Sequence, residues 1–264
     1  MSGHLQQLLA IMRRLRGAEG CPWDREQTFA TIAPFTIEEA YEVADAAARD
    51  NLADLRDELG DLLFQVVFHA QLAEEAGAFD FDAVAAAICD KLQRRHPHVF
   101  GSQAPFDSTT AQQTAWEDIK AAERAQASPG RTPRSHLDGV PVALPALARA
   151  HKLSKRAARV GFDWPVAART ADKVAEELGE VRDAFAGAAD PARVFEEMGD
   201  LLFAASNLAR KLDVDAEAAL RAANLKFERR FRGMERLAAE AGQVFSRLDL
   251  DAQEQLWQKV KQGE

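Results

Sequence analysis

An internal repeat constrains the fold of this chain more than any other feature of its sequence. Five landmarks occur twice in the same order, and each second occurrence follows the first by 135 to 141 residues. The pairs are GCPWD at 20–24 with GFDW at 161–164, EEAYE at 38–42 with EELGE at 176–180, ELGDLLF at 58–64 with EMGDLLF at 197–203, Lys91, Arg94 and Arg95 with Lys226, Arg229 and Arg230, and Trp116 and Lys120 with Trp257 and Lys261. Self-similarity at a nearly fixed offset indicates one structural unit used twice.

Hydrophobic periodicity indicates that both units are helical. Apolar residues recur at intervals of three and four, and no segment alternates for long enough to indicate a half-buried strand. We predict an all-α fold of two tandem helical bundle domains, 1–127 and 146–264, joined by the linker 128–145, whose four prolines and two glycines interrupt the periodicity. Helices are predicted over 3–16, 36–49, 51–76, 81–95, 109–127, 141–159, 166–186, 191–212, 214–241 and 249–262.

Charge and composition exclude several classes of partner. The net charge of −9 argues against nucleic acid or an anionic membrane, because both are polyanions, and a phosphate ligand would need a metal. Cys21 and Cys89 are too few for a disulfide framework. In segment 1–17 the arginines follow the apolar residues, which is the reverse of the order in a secretory signal. The apolar run 62–68 is far shorter than the roughly 20 residues that a membrane span needs. We expect a soluble cytoplasmic protein without direct nucleic-acid binding.

Each unit carries E-E-x-x-E on one predicted helix and E-x-x-D on the next. Residues three apart share a helix face, so two such helices packed antiparallel would bring four carboxylates together. A solvated helix face is the usual explanation of a lone Glu-x-x-Glu. Here the acidic residues border the most apolar helices, where clustered carboxylates are tolerated mainly if hard cations bind between them. The two predicted clusters are Glu39, Glu42, Glu58 and Asp61, and Glu177, Glu180, Glu197 and Asp200.

The ligand types indicate which metal such clusters would hold. Oxygen ligands without histidine or cysteine favour Mg²⁺, with Mn²⁺ as the alternative, over zinc. A di-iron carboxylate bundle needs Glu-x-x-His motifs, and none of the six histidines follows a glutamate at that spacing. The chain also lacks a Walker A loop.

Basic residues recur in both copies at a spacing that suits a phosphate ligand. Lys226 and Arg230 share a helix face, as do Lys91 and Arg95, and cations opposite a metal cluster are what a triphosphate requires. A surface ion-pair ladder explains the same spacing, although its recurrence in both copies favours a ligand. Trp257 and Lys261 would add an aromatic face and a cation from the last helix, and a buried Trp beside a solvated Lys is the alternative.

Together these motifs resemble the MazG family of nucleoside triphosphate pyrophosphohydrolases, over essentially the whole chain. The resemblance implies Mg²⁺-dependent cleavage of the bond between the α and β phosphates of several NTPs and dNTPs, with ATP among the nucleotides bound. It also implies a helical bundle that forms a homodimer and has a housekeeping role in the nucleotide pool. It also implies that the carboxy-terminal copy hydrolyses. The implied Mg²⁺ ligands are Glu177, Glu180, Glu197 and Asp200, and the implied nucleotide-site residues are Lys173, Glu176, Glu196, Lys226, Arg230 and Trp257.

Alignment of the two copies gives independent support for this asymmetry. Phe35 stands opposite Lys173, and Cys89 stands opposite Asn224, so only the second copy offers an extra cation one turn before Glu177 and an amide suited to reading a base or sugar. Glu176, outside the predicted metal ligands, would accept the proton of an attacking water. The first copy keeps all its acidic positions, and we expect it to be structural or weakly active. The alternative is a helical binding module that holds metal structurally and recruits a partner.

Overall fold

The structure, a computed structural model, describes residues 3–102, 104, 106–126, 135–186 and 190–264. These residues form α-helices and one short 3₁₀ helix, Phe245–Arg247, and contain no β-strand. The predicted all-α class is therefore confirmed. The α-helices are α1 (Gly3–Arg16), α2 (Pro22–Glu26), α3 (Phe29–Ala48), α4 (Leu52–Glu75), α5 (Phe81–Arg95), α6 (Pro97–Phe100), α7 (Thr109–Gln126), α8 (Ala146–Ala158), α9 (Ala167–Phe185), α10 (Pro191–Lys211), α11 (Ala216–Glu240) and α12 (Leu250–Gln262).

The helices divide between two compact units, Met1–Pro129 and Gly130–Glu264. In the first unit α3 packs along α4, and α1 and α5 also contact α4. In the second unit α9 packs along α10, α8 packs against α10, and α11 packs against α12. Each unit therefore contains one extensive helix pair, α3–α4 or α9–α10, and these pairs carry the acidic motifs.

An apolar core holds α3 and α4 together in the first unit. Phe68 is fully buried, and burial of a side chain of this size contributes about 2 kcal/mol. Phe68 lies two turns beyond Asp61 on α4, so the core fixes the segment that presents the acidic residues. The buried members of this core are Met12, Ile32, Val67, Phe68 and Leu72.

The second unit combines an apolar core with a buried hydrogen bond between helices. Met234, Ala238 and Leu256 are buried where α11 meets α12. On α10 the buried Ser206 hydroxyl donates a hydrogen bond of 3.1 Å to the carbonyl of Leu147 on α8. The core and this hydrogen bond fix α11 on α12 and α10 on α8.

Two helices begin elsewhere than the sequence predicts. Helix α3 begins at Phe29 instead of 36, because Thr28 and Thr31 form a reciprocal capping box, and Pro34 is accommodated inside the helix near its start. Helix α8 begins at Ala146 instead of 141, with Pro145 as its N-cap residue. The other eight predicted helices agree with the structure to within two residues at each end.

Three short elements were not predicted. Helices α2 and α6 each begin with a proline, which suits the first turn because its missing N–H has no partner there. The third is the 3₁₀ helix before α12. Residues 135–145 of the predicted linker form turns without a helix, and 128–134 lie outside the described residues. None of the described helices has the length and apolarity that crossing a membrane takes.

Candidate metal and nucleotide site

The four predicted carboxylates of the second copy lie on the facing helices α9 and α10. Carboxylate oxygens of Glu177, Glu197 and Asp200 lie within 4.8 Å of one another. Glu180 adjoins Glu177, and the Glu177 carboxylate raises the pKa of Glu180. The helix pair therefore concentrates acidic oxygens, as the i, i+3 spacing predicts.

Lys173 supplies a cation at the edge of this cluster, one turn before Glu177 on α9. Its Nζ lies 2.7 Å from Oε1 of Glu176 and 2.8 Å from Oε1 of Glu177. Hydrogen bonds to these two carboxylates raise the pKa of Lys173, and the ammonium group in turn lowers the pKa of Glu177. Both partners of the Lys173–Glu177 pair are thus held in their charged forms.

Glu177 has one oxygen that this ion pair does not satisfy. Its side chain is 8% exposed, and Oε2 is buried without a hydrogen-bond partner. A buried carboxylate oxygen without a donor is costly unless a cation or an ordered water occupies its lone pairs. The unpartnered oxygen and the oxygen-only donor set fit a hard divalent cation such as Mg²⁺.

Arg193 is a second cation at this cluster, and the sequence reasoning missed it. Its Nε lies 3.6 Å from Oε1 of Glu197, one turn further along α10. The i, i+4 spacing of Arg193 and Glu197 was the available signal. The equivalent position in the first copy, at the offset of 139 that relates Glu58 to Glu197, is Asp54.

In the first copy the same helix pairing gathers carboxylates as well. Oxygens of Glu39, Glu42 and Glu58 lie within 4.8 Å of one another. Burial raises the pKa of Glu39 and of Glu58, and neighbouring carboxylates, Asp61 among them, raise both further. Within the described part of the chain, no ion pair involves any of these four acidic residues. The carboxylates of this cluster therefore destabilise one another's charged forms, and no described basic side chain forms an ion pair with them.

The basic and aromatic residues of the second copy meet where α11 packs against α12. The guanidinium group of Arg230 lies 5.4 Å from the ring centroid of Trp257. Arg229 and Arg230 both donate hydrogen bonds to the side chain of Glu264, whose pKa falls to about 2 through these two arginines. We call this arrangement the arginine clasp. Arg230 is thus bound to a carboxylate within its own unit.

The first copy contains the equivalent arginine clasp. Arg94 and Arg95 donate hydrogen bonds to Glu123. The bond from Arg95, with a smaller effect of the bond from Arg94, lowers the pKa of Glu123 to about 2. The offset from Glu123 to Glu264 is 141, the same as from Trp116 to Trp257. The sequence reasoning missed both glutamates, although this shared offset was a signal for them.

Four other predicted site residues lie on exposed helix positions: Glu196 on α10, Asn224 and Lys226 on α11, and Lys261 on α12. The structure thus groups the predicted residues into two sets within the unit. One set is the carboxylates of α9 and α10 with Lys173. The other comprises the basic and aromatic residues of α11 and α12.

Comparison with known proteins agrees with the repeat and with the position of the clusters. The MazG nucleotide pyrophosphohydrolase domain matches the chain twice, over residues 27–100 and 167–234. The chain is 55% identical over 262 residues to the nucleoside triphosphate pyrophosphohydrolase of Escherichia coli K12, covering 98% of both chains. It is 42% identical over 259 residues to the nucleoside triphosphate pyrophosphohydrolase/pyrophosphatase MazG of Thermotoga maritima, covering 98% of this chain and 96% of the relative. The chain therefore belongs to the MazG family, with two copies of the family's domain.

Proposed function

We propose that this chain hydrolyses nucleoside triphosphates between the α and β phosphates and releases nucleoside monophosphate and pyrophosphate. The observation that carries the proposal is the acidic cluster of α9 and α10, in which buried Glu177 has an unpartnered oxygen, inside the second MazG match. The names of the two relatives support the same activity. Its substrates are NTPs and dNTPs of several bases, ATP included, and its role is control of the nucleotide pool in the cytoplasm, where Cys21 and Cys89 stay reduced.

In this proposal Glu177, Glu180, Glu197 and Asp200 hold Mg²⁺, or Mn²⁺ in its place. The bound cation supplies charge neutralisation at the phosphate oxygens and activation of the attacking water. Glu176, which is 59% exposed beside the cluster, accepts the proton that the water loses. The reaction consumes one water for each triphosphate and leaves the proton on this carboxylate before its release to solvent.

The second set of residues binds the nucleotide. Arg230 and Lys226 contact phosphate oxygens, and a bidentate guanidinium group suits a phosphate better than a point charge does. Trp257 provides an apolar face beside Arg230, and exposed Asn224 provides an amide for a base or sugar. Lys173, Glu196 and Lys261 complete the proposed nucleotide site.

The first copy serves assembly in this proposal, and the active form is a homodimer. Apolar side chains remain about half exposed on both acidic helix pairs, for example Leu59 and Leu63 on α4 and Leu202 and Phe203 on α10. A second subunit would bury such side chains and recover about 25 cal/mol per Å² of apolar surface removed from water. Light scattering at micromolar concentration tests this part, and a monomeric mass would contradict it.

Product identification tests the proposed reaction. The full-length chain is incubated with canonical and damaged NTPs and dNTPs in Mg²⁺, and products are separated by ion-exchange chromatography. We expect monophosphate and pyrophosphate in equal amounts, loss of turnover in excess EDTA, and recovery when Mg²⁺ is restored. Diphosphate with inorganic phosphate would contradict the cleavage site. A melting temperature raised by metal without nucleotide consumption would favour the binding module instead.

A further inference from the structure

The strongest unexplained feature of the second acidic cluster is the position of the Lys173 ammonium group. It lies 2.8 Å from Oε1 of Glu177, the most buried of the proposed metal ligands, and 2.7 Å from Glu176. The Lys173 side chain itself is 33% exposed, so the ammonium group can leave the cluster without disturbing a core. A movable cation therefore sits on the carboxylate that a metal would bind.

The first copy has no cation at the equivalent position. Phe35 stands there, and its ring packs edge-on against Trp23 at a centroid distance of 5.8 Å. The position equivalent to Arg193 is Asp54, which pairs with Arg49 instead of a cluster residue. The two copies thus share their proposed ligands and differ in whether an internal cation covers them.

An internal cation changes the free energy of metal binding. A divalent ion that binds Glu177 must compete with the ammonium group for the same carboxylate, so the ion pair lowers the apparent affinity of the metal-free site. Once displaced, the ammonium group needs another anion. A triphosphate beside the cluster supplies one, since its oxygens accept charge-assisted hydrogen bonds.

We propose that Lys173 acts as a stand-in cation that makes metal binding at the second copy depend on the triphosphate. This inference rests on the proposed function of the site. When the metal binds alone, the Lys173–Glu177 ion pair is broken and the ammonium group gains no new anion. When a triphosphate binds as well, the ammonium group exchanges the carboxylate for a phosphate oxygen. By thermodynamic linkage the triphosphate and the metal then raise each other's affinity by the same factor.

Mn²⁺ binding to the full-length chain tests the inference without relying on turnover. Glu39→Gln and Glu58→Gln are introduced as a common background, so that binding reports on the second copy. Free Mn²⁺ is followed by electron paramagnetic resonance, with and without an α,β-methylene triphosphate analogue whose own Mn²⁺ affinity is measured separately. We expect the analogue to raise Mn²⁺ affinity at least tenfold in this background.

Lys173→Met removes the stand-in cation and keeps the length of the side chain. We expect nucleotide-free Mn²⁺ affinity to rise about tenfold, which corresponds to about 1.4 kcal/mol, and the coupling to the analogue to fall by a similar factor. Lys173→Arg keeps a cation beside Glu177 and should restore most of the coupling. Lys152→Met, an exposed position on α8 in the same unit, is the matched control and should leave both affinities unchanged.

The reciprocal change tests the same inference in the first copy. In a chain with Glu177→Gln and Glu197→Gln, Phe35→Lys should weaken Mn²⁺ binding, because the half-exposed position 35 can hold an ammonium group near Glu39. The inference is overturned if Lys173→Met leaves nucleotide-free Mn²⁺ affinity unchanged or weaker while the parent still binds Mn²⁺ and hydrolyses triphosphates. If the parent neither binds Mn²⁺ nor hydrolyses triphosphates, the proposed function fails together with it.

Discussion

The two copies of the domain carry the same four carboxylates on matching helix pairs but in opposite electrostatic surroundings. In the second copy Lys173 and Arg193 contact Glu177 and Glu197. In the first copy Phe35 and Asp54 occupy those positions, and burial with neighbouring carboxylates raises the pKa of Glu39 and Glu58. The two copies therefore share the acidic residues of the motif and differ in whether basic side chains contact them.

The difference teaches that identical ligand sets need not have identical functions. Clustered carboxylates without a cation repel one another and gain from any bound divalent ion. Carboxylates already paired with an internal cation gain less from the metal alone, since the pair must first be broken. A metal-stabilised assembly unit and a substrate-coupled site are thus compatible with one inherited motif.

The largest expected effect separates the copies by activity. Glu177→Gln should lower kcat by about 10²- to 10³-fold, because it removes a charged ligand from the proposed site. Glu39→Gln, the matched change in the first copy, should alter kcat by about twofold or less. Pyrophosphate release in saturating Mg²⁺ and ATP measures both. Equal losses in the two variants would show that both copies hydrolyse.

The second effect compares the two arginine clasps. Arg230→Ala should lower kcat/KM by roughly 10- to 100-fold, since a charge-assisted hydrogen bond contributes about 1.5–3 kcal/mol. Arg95→Ala, which breaks the equivalent clasp in the first copy, should leave kcat/KM within about twofold. Steady-state kinetics with ATP measures both. A comparable loss in Arg95→Ala would place the first copy in substrate binding.

The third effect concerns how stability depends on pH in EDTA. Because Glu39 and Glu58 have folded pKa values above 4.5, each binds a proton more readily in the folded chain. Their unfavourable contribution is therefore present above the folded pKa and disappears as the pH falls towards 4.5. The double variant Glu39→Gln/Glu58→Gln should have a higher Tm than the parent at pH 7, and this advantage should narrow towards pH 4.5.

Glu177 provides the opposite sign within the same measurement. Lys173 lowers its folded pKa, so its favourable contribution is present above pH 4.5 and is lost as the pH falls through the lowered value. Glu177→Gln should therefore lower the Tm at pH 7. A rise in Tm for Glu177→Gln at pH 7 would contradict this expectation, because it would mean that the charged carboxylate of Glu177 destabilises the folded chain as those of Glu39 and Glu58 do.

The smallest effect involves Arg193, whose contact with Glu197 is long, at 3.6 Å, and whose side chain is 58% exposed. Exposed ion pairs contribute about 0–1 kcal/mol, so Arg193→Ala should tighten nucleotide-free Mn²⁺ binding at the second copy by only about twofold. Isothermal titration calorimetry in the background with Glu39→Gln and Glu58→Gln measures this change. A larger effect than that of Lys173→Met would make Arg193 the main stand-in cation.

Much of the fold could be predicted because most helices have regular apolar periodicity. Helix α3 was placed too late, because the Thr28–Thr31 capping box starts the helix at Phe29, five residues before Pro34. The short helices α2 and α6 are too brief to show periodicity. Local capping chemistry, more than hydrophobic pattern, decides such boundaries.

The clustering of carboxylates could also be predicted, since helical spacing alone places Glu177 beside Glu180 and Glu197 beside Asp200. The partner of Lys173 could not be predicted in the same way, because spacing allows either a carboxylate or a phosphate. Arg193 was missed although its i, i+4 spacing from Glu197 on the same helix was a signal, because many exposed arginines have such a spacing without a function. Glu264 was missed because its partners, Arg229 and Arg230, lie far from it in sequence and come close only when the end of α12 packs near α11.

The arginine clasp, which both copies contain, has a consequence for where the copies can be exchanged. Arg94, Arg95 and Glu123 make the same ion pairs as Arg229, Arg230 and Glu264. Each unit thus connects its basic segment to the end of its own last described helix and needs no residue of the other unit for this contact. What distinguishes the copies beside their shared carboxylates lies at positions 35 and 173, and 54 and 193.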